Sequence, residues 1–156
     1  MHFNRIISIG AAAMIMASAS LPAMAAGDDV VTRESSSEFA DVSQAVQDGI
    51  INRGYTIDYH GFIGDMLKRT AEDVGASKEL YKDAEFFTFC SAVVSRDVME
   101  ADIGDIAYCP YVVFVYEDAS MEGTVTVGFR QLPSGGARDQ VNELLTDIIE
   151  EAADGF

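Results

Sequence analysis

Hydrophobic positions change period along the chain, and each change marks an element. Phe39, Val42, Val46 and Ile50 recur at helical spacing, with Asp41, Gln44, Gln47 and Asp48 on the opposite side. Apolar side chains three and four residues apart share a face, so a helix is predicted over residues 38–53, closed by Gly54 at the C′ position. Ser35, Ser36 and Ser37, with Glu38 three residues after Ser35, resemble an N-cap and capping box ahead of it. From Tyr55 the period falls to two. Tyr55, Ile57 and Tyr59 alternate with Thr56, Asp58 and His60, which predicts a strand that buries the first set, leaves His60 on its polar side and ends near Gly61 and Gly64.

Other segments are shorter. Val30, Val31 and Thr32 read as a first edge strand, residues 65–73 as a short helix with Met66, Leu67 and Ala71 inward, and residues 75–83 as a polar connection. Residues 86–90 form a third strand, residues 91–101 a helix, and the β-branched and aromatic run 112–116 a central strand. Val125, Val127 and Phe129 alternate after a turn at 117–123, which makes 112–129 a hairpin with a loop longer than two residues. Past Pro133, Gly135 and Gly136, residues 138–152 repeat Val141, Leu144, Leu145, Ile148, Ile149 and Ala152 at helical spacing. Hairpin-spaced strands between helices predict an α+β fold, an antiparallel sheet of about five strands packed on two main helices.

Ahead of these elements, residues 1–25 run from a basic start at Arg5 through an apolar stretch to Ala23-Met24-Ala25, the order of a cleaved secretory signal. Ser8, Ser18 and Ser20 interrupt the apolar stretch, leaving it short of the roughly 20 residues of a membrane span. The expectation is a periplasmic protein with residues 26–34 as linker and start of the first strand, and residues 35–156 as a single domain. No membrane attachment is expected after cleavage.

Charge then narrows the partners. The chain has 26 acidic and 10 basic residues, a formal −16 that becomes −17 when Arg5 leaves with the leader. Nucleic-acid binding needs Lys and Arg to displace counterions, so this balance excludes nucleic acid as a direct partner and disfavours anionic lipid. Such a charge serves solubility, and it also attracts a cationic partner.

Cys90 and Cys109 are the only cysteines. An even pair in an exported protein reads first as a disulfide. The second reading is a thiol-based redox or sulfur-handling pair, in which Cys90, directly ahead of a predicted helix, is the better nucleophile. A third is a copper or zinc site with His60, for which Met99 is the one thioether in the helix after Cys90. With His60 at the end of the second strand and Cys90 at the far end of the third, such a cluster is not expected within one subunit; neither a metal nor a cofactor is predicted. His60, the one histidine left after the leader, reads as a solvent-facing or capping residue, with a ligand site on an exposed sheet face as its functional alternative. The acid pairs Asp102 with Asp105 and Glu117 with Asp118 read as solvated loop groups. No Ser-His-Asp arrangement or phosphate-binding glycine loop is evident, so the chain reads as a binding or interaction module more than as an enzyme.

The stretch Phe86-Phe87-Thr88-Phe89-Cys90, a short helix, then residues 103–113 with Gly104, Cys109 and Pro110, followed by Glu117-Asp118, resembles the domain-of-unknown-function family 302. The likeness covers residues 55–123 and extends more loosely to Phe39 and Pro133. Two departures stand out. Ser91 and Ala92 occupy the place of a proline after the first cysteine, and the family's Pro-Cys pair is reversed as Cys109-Pro110. The resemblance implies a TATA-binding-protein-like β-α-β-β-β-β-α fold with no agreed activity, in which antiparallel strands bring Cys90 near Cys109. It also implies a homodimer, for which Tyr55, Tyr59, Phe62, Tyr108 and Tyr111 offer more aromatic surface than one small sheet face needs to bury.

Overall fold

The computed structural model describes residues 29–155; the leader assigned to residues 1–25 lies outside them. Five strands form one antiparallel sheet: β1 (Val30–Ser35), β2 (Ile57–Gly61), β3 (Tyr81–Phe89), β4 (Tyr111–Asp118) and β5 (Val125–Arg130). Their spatial order is β1-β5-β4-β3-β2. Helices α1 (Phe39–Asn52) and α4 (Arg138–Asp154) lie together across one face, while α2 (Ile63–Thr70) runs against β3 and α3 (Ala92–Ala101) leads into a 3-10 helix, Ile103–Tyr108. This is the predicted α+β class with its helical insertions.

The core lies where the two periods meet. Val42, Val46 and Ile50 of α1 and Val141, Leu145, Ile148 and Ile149 of α4 are fully buried against Phe87, Phe89, Val113, Val115, Val127 and Phe129 on the inner face of the sheet. Each such side chain contributes roughly 1.5–3 kcal/mol relative to exposure. Helix α1 ends in a Schellman arrangement: Gly54 takes φ +82°, its N–H donates to the Ile51 carbonyl, and the Tyr55 N–H reaches back to the Ile50 carbonyl.

Several boundaries differ from expectation. The helix-starting box at Ser35 is absent: Glu38 is the N-cap residue without a side-chain bond, and Ser35 ends β1, its hydroxyl accepting from the Ser37 N–H. Strand pairing with β5 claims Ser35 before the helix can use it. Strand β3 starts at Tyr81, inside the expected polar connection, because residues 81–85 pair with β4 despite their charges. Met66, expected inward, is 37% exposed, since α2 presses the β3 edge with Gly64 instead, where a Cβ would stand 2.8 Å from the Ala84 nitrogen.

The largest local difference is in β2. Ile57 pairs with Phe89 but Tyr59 with Thr88, so Asp58 is the extra residue of a bulge. Beyond it the parity inverts: Tyr59 turns to the outer face, 60% exposed, and His60, paired with Phe87, turns to the helix-covered face.

Candidate functional site

His60 enters a cleft between α1 and the β2–β3 edge. Its ring is held between those of Phe62 and Phe87, each with its centroid 4.2 Å away. Nε2 lies 2.9 Å from Oε2 of Glu85, and the hydroxyl of buried Ser43 on α1 donates to that same oxygen at 2.6 Å. One carboxylate oxygen thus joins α1, β2 and β3. Nε2 is thus the ring nitrogen turned to Glu85, and Nδ1 takes no part in that contact. Glu38, Gln47, Lys82, Asp83 and Glu117 also line this cleft of about 500 Å³.

The order of contacts matters chemically. In a nucleophile relay the histidine stands between hydroxyl and acid. Here the acid stands between, and Ser43 gives its hydrogen to Glu85. The group is built to position an imidazole and a carboxylate, not to activate Ser43.

Glu117, on the inner face at the end of β4, is 6% exposed and accepts from the Gly123 N–H at 3.2 Å and from Lys82 Nζ at 3.1 Å. Those bonds hold its carboxyl below the usual range, the Gly123 amide first and Lys82 second. Asp105 is likewise buried, and Arg138 donates to its two oxygens at 2.8 and 2.7 Å. Neither is the solvated loop acid the sequence implied. Asp102 does lie in a loop, accepting from the Gly104 amide, whereas Asp118 is the last residue of β4, paired with Tyr81 and accepting from the Ser120 amide.

Cys90 and Cys109 are joined in a disulfide, with Cα atoms 6.5 Å apart. Cys90 follows β3 and Cys109 precedes β4, which pair antiparallel, so the two meet at one end of the sheet. Ser91, next to Cys90, caps α3 by accepting from the Val94 N–H. Ser95 of α3 hydrogen-bonds the buried Tyr111 hydroxyl at 3.0 Å, with its Oγ 3.9 Å from Cys109 Sγ; burial raises the Tyr111 pKa.

His60 and Cys90 do not stand at opposite ends of β3. Because β2 pairs with the last residues of β3, His60 faces Phe87, three positions before Cys90, about 10 Å at strand rise. They remain apart as ligands: among the described residues no group of three or more His, Cys, Asp or Glu side chains is placed to hold a metal ion. No helix among those residues is long and apolar enough to cross a membrane. Sequence reasoning missed Glu85 and Ser43; a Glu at an inward strand position between Ala84 and Phe87 was the available signal.

No protein-family model matches the chain, and no curated protein matches it. Among solved structures, it is similar to an uncharacterised conserved DUF302 protein from Bacillus stearothermophilus, with a TM-score of 0.56 and 14% identity over 82% of this chain and 95% of that one. At that identity the likeness is one of fold, and a DUF302-like fold is what the sequence resemblance implied.

Proposed function

With a DUF302-like α+β fold as premise, we propose that this chain is an exported binding module, braced by the Cys90–Cys109 disulfide, that takes a small cationic ligand in the cleft at His60. The observation that carries this reading is the Glu85 carboxylate shared by His60 and Ser43. Glu85 occupies an inward position of an interior strand whose next inward neighbours are Phe87 and Phe89. A polar group there costs burial free energy that an apolar residue would not, and a local departure from a consistent core is what a binding site produces. Carboxylates of Glu38, Asp83 and Glu85 line the cleft, while the one lysine, Lys82, is paired with Glu117. The complement is a ligand that presents N–H donors and positive charge.

Spermidine and inorganic phosphate distinguish the outcomes. In amide chemical-shift titrations, spermidine is expected to move Ser43, Gln47 and His60 and phosphate to leave them in place, with Glu85→Gln weakening spermidine binding by about tenfold or more. Indifference of all three residues to spermidine removes the cleft as a cation site.

A thiol-redox reading has one favouring observation, Cys90 immediately ahead of the α3 N-cap, where a helix dipole supports a thiolate. Equilibration of the pair in dithiol buffers decides between them. A potential below about −300 mV marks a structural brace, and one near −120 to −250 mV an exchangeable pair. The binding module predicts the former.

A further inference from the structure

Helix α2 does not lead straight into β3. A second Schellman turn follows it: Gly75 takes φ +69°, its N–H donates to the Glu72 carbonyl, and the Ala76 N–H reaches back to the Ala71 carbonyl. Residues 76–80 then return beside the helix to Tyr81, where the Leu80 carbonyl accepts from the Ala119 N–H. Between the helix and this returning segment lies a pocket of about 270 Å³, walled by Leu67, Ala71, Val74, Ala76, Leu80 and Tyr81. Its size is near the lower end of small-molecule sites, about 300–1,000 Å³. No side chain of the segment fills it: residues 72–80 are all exposed, Val74 by 74% and Leu80 by 49%. Exposed apolar side chains are ordinary when scattered singly, whereas these converge on one hollow. Backbone bonds pin the segment at both ends, so the hollow is formed before anything enters it.

Charge says what the occupant carries. The chain has 26 acidic residues and only three lysines, Lys68, Lys78 and Lys82. Two of the three line this pocket, against a single acid, Glu79. The His60 cleft, with which it shares no residue, has the opposite balance, four carboxylates to one lysine. Lys68 is already engaged, donating to the Lys82 carbonyl and lying 3.8 Å from Glu79. Lys78 forms no ion pair among the described residues and acts on Asp118 only behind the two bonds from Ser120. One uncommitted ammonium beside apolar walls matches one negative charge on an apolar body. We propose that this pocket binds a small amphipathic carboxylate, its aliphatic tail between α2 and the returning segment and its head at Lys78. The tail supplies the apolar surface that Leu67, Val74 and Leu80 lack as neighbours, and removing it from water drives binding. A dianion without a tail would leave those walls wet, and an amine would set its charge against Lys78. The site stands independently of the cation cleft.

The test is a methyl and amide chemical-shift titration of the chain from Ala26 onward, which holds every described element, with octanoate below its micelle-forming concentration. Octanoate is expected to move Leu67, Val74 and Leu80 with a dissociation constant of about 1 mM or less, and to leave Ser43 and His60 in place. Acetate, the head without the tail, and octylammonium, the tail with the opposite charge, are each expected to bind about tenfold more weakly or worse. Lys78→Glu is expected to weaken octanoate about tenfold or more while leaving the far-ultraviolet spectrum unchanged. Val74→Asp, at an equally exposed position, is expected to do the same from the tail end and serves where the first variant folds poorly. Phosphatidylglycerol vesicles are expected to leave all three residues in place. Octanoate that leaves them unmoved, that binds Lys78→Glu and Val74→Asp as it binds the wild type, or that binds no better than octylammonium overturns the proposal. So does a response to the vesicles without one to octanoate, which would assign the pocket to a lipid surface instead.

Discussion

Asp105 shows how a residue that looks dispensable becomes structural. Arg138 holds its carboxyl below the ordinary range, and the pair helps fasten the 3-10 helix after α3 to the start of α4, where the same guanidinium also lies over the Tyr108 ring. A carboxylate whose folded pKa is depressed stabilises fully above its unfolded value, about 3.9 for Asp, and the gain is lost as pH falls through the lower folded value. Glu117, lowered by the Gly123 amide and Lys82, behaves with the same sign. Arg138→Gln should therefore raise the pH at which the protein unfolds in acid, read by circular dichroism, and Arg138→Lys should recover part of the shift. An unmoved acid midpoint would deny the pair that role. None of this was legible from the local sequence, because Asp105 and Arg138 are 33 positions apart and only the fold joins them.

At the scale of elements, periodicity served where one face of a segment was buried along its whole length. The α1 and α4 helices follow their apolar stripes to within about two residues, the usual uncertainty of helix ends. Strand β2 did not follow its pattern, because alternation assumes an unbroken ladder and the bulge at Asp58 inverts it. That inversion sends His60 inward to Glu85, so the same event that spoiled the reading of the strand made the candidate site. Strand β5 carries a second lesson in Gly128. A Cβ there would stand 2.5 Å from the Val31 carbonyl and 2.6 Å from the Phe114 ring, leaving no room between β1 and that ring. Gly128→Ala should cost about 1–3 kcal/mol by overpacking, measured as a lowered urea midpoint. A midpoint equal to that of the wild type would mean that the ring and β1 move aside freely.

For the molecule as a whole, architecture was readable because hairpin spacing, strand count and flanking helices agree on one layered solution. The cleft and the pocket beside α2 were not, since both depend on which segments are neighbours in space. A formal −16 concentrated on so small a body also has a cost in self-repulsion. Raising the ionic strength from about 0.01 M to about 0.15 M shortens the screening length from about 30 Å to about 8 Å. The thermal midpoint should rise with it, and a fall would show that attractive pairs such as Arg53 with Glu151 outweigh the repulsion.

The strand order has a consequence for how the chain comes into being. β1 is the first of the strands to be made, yet among the described residues its one strand neighbour is β5, and Val30 pairs with Arg130. A ribosome delivers the two in that order, so the opening segment waits through nearly the whole of synthesis before it has a mate. The last edge to close therefore acts as a proofreader of length: a product cut short before residue 125 presents an orphan first strand and a bare β4 flank, open to proteases and to other unfinished copies.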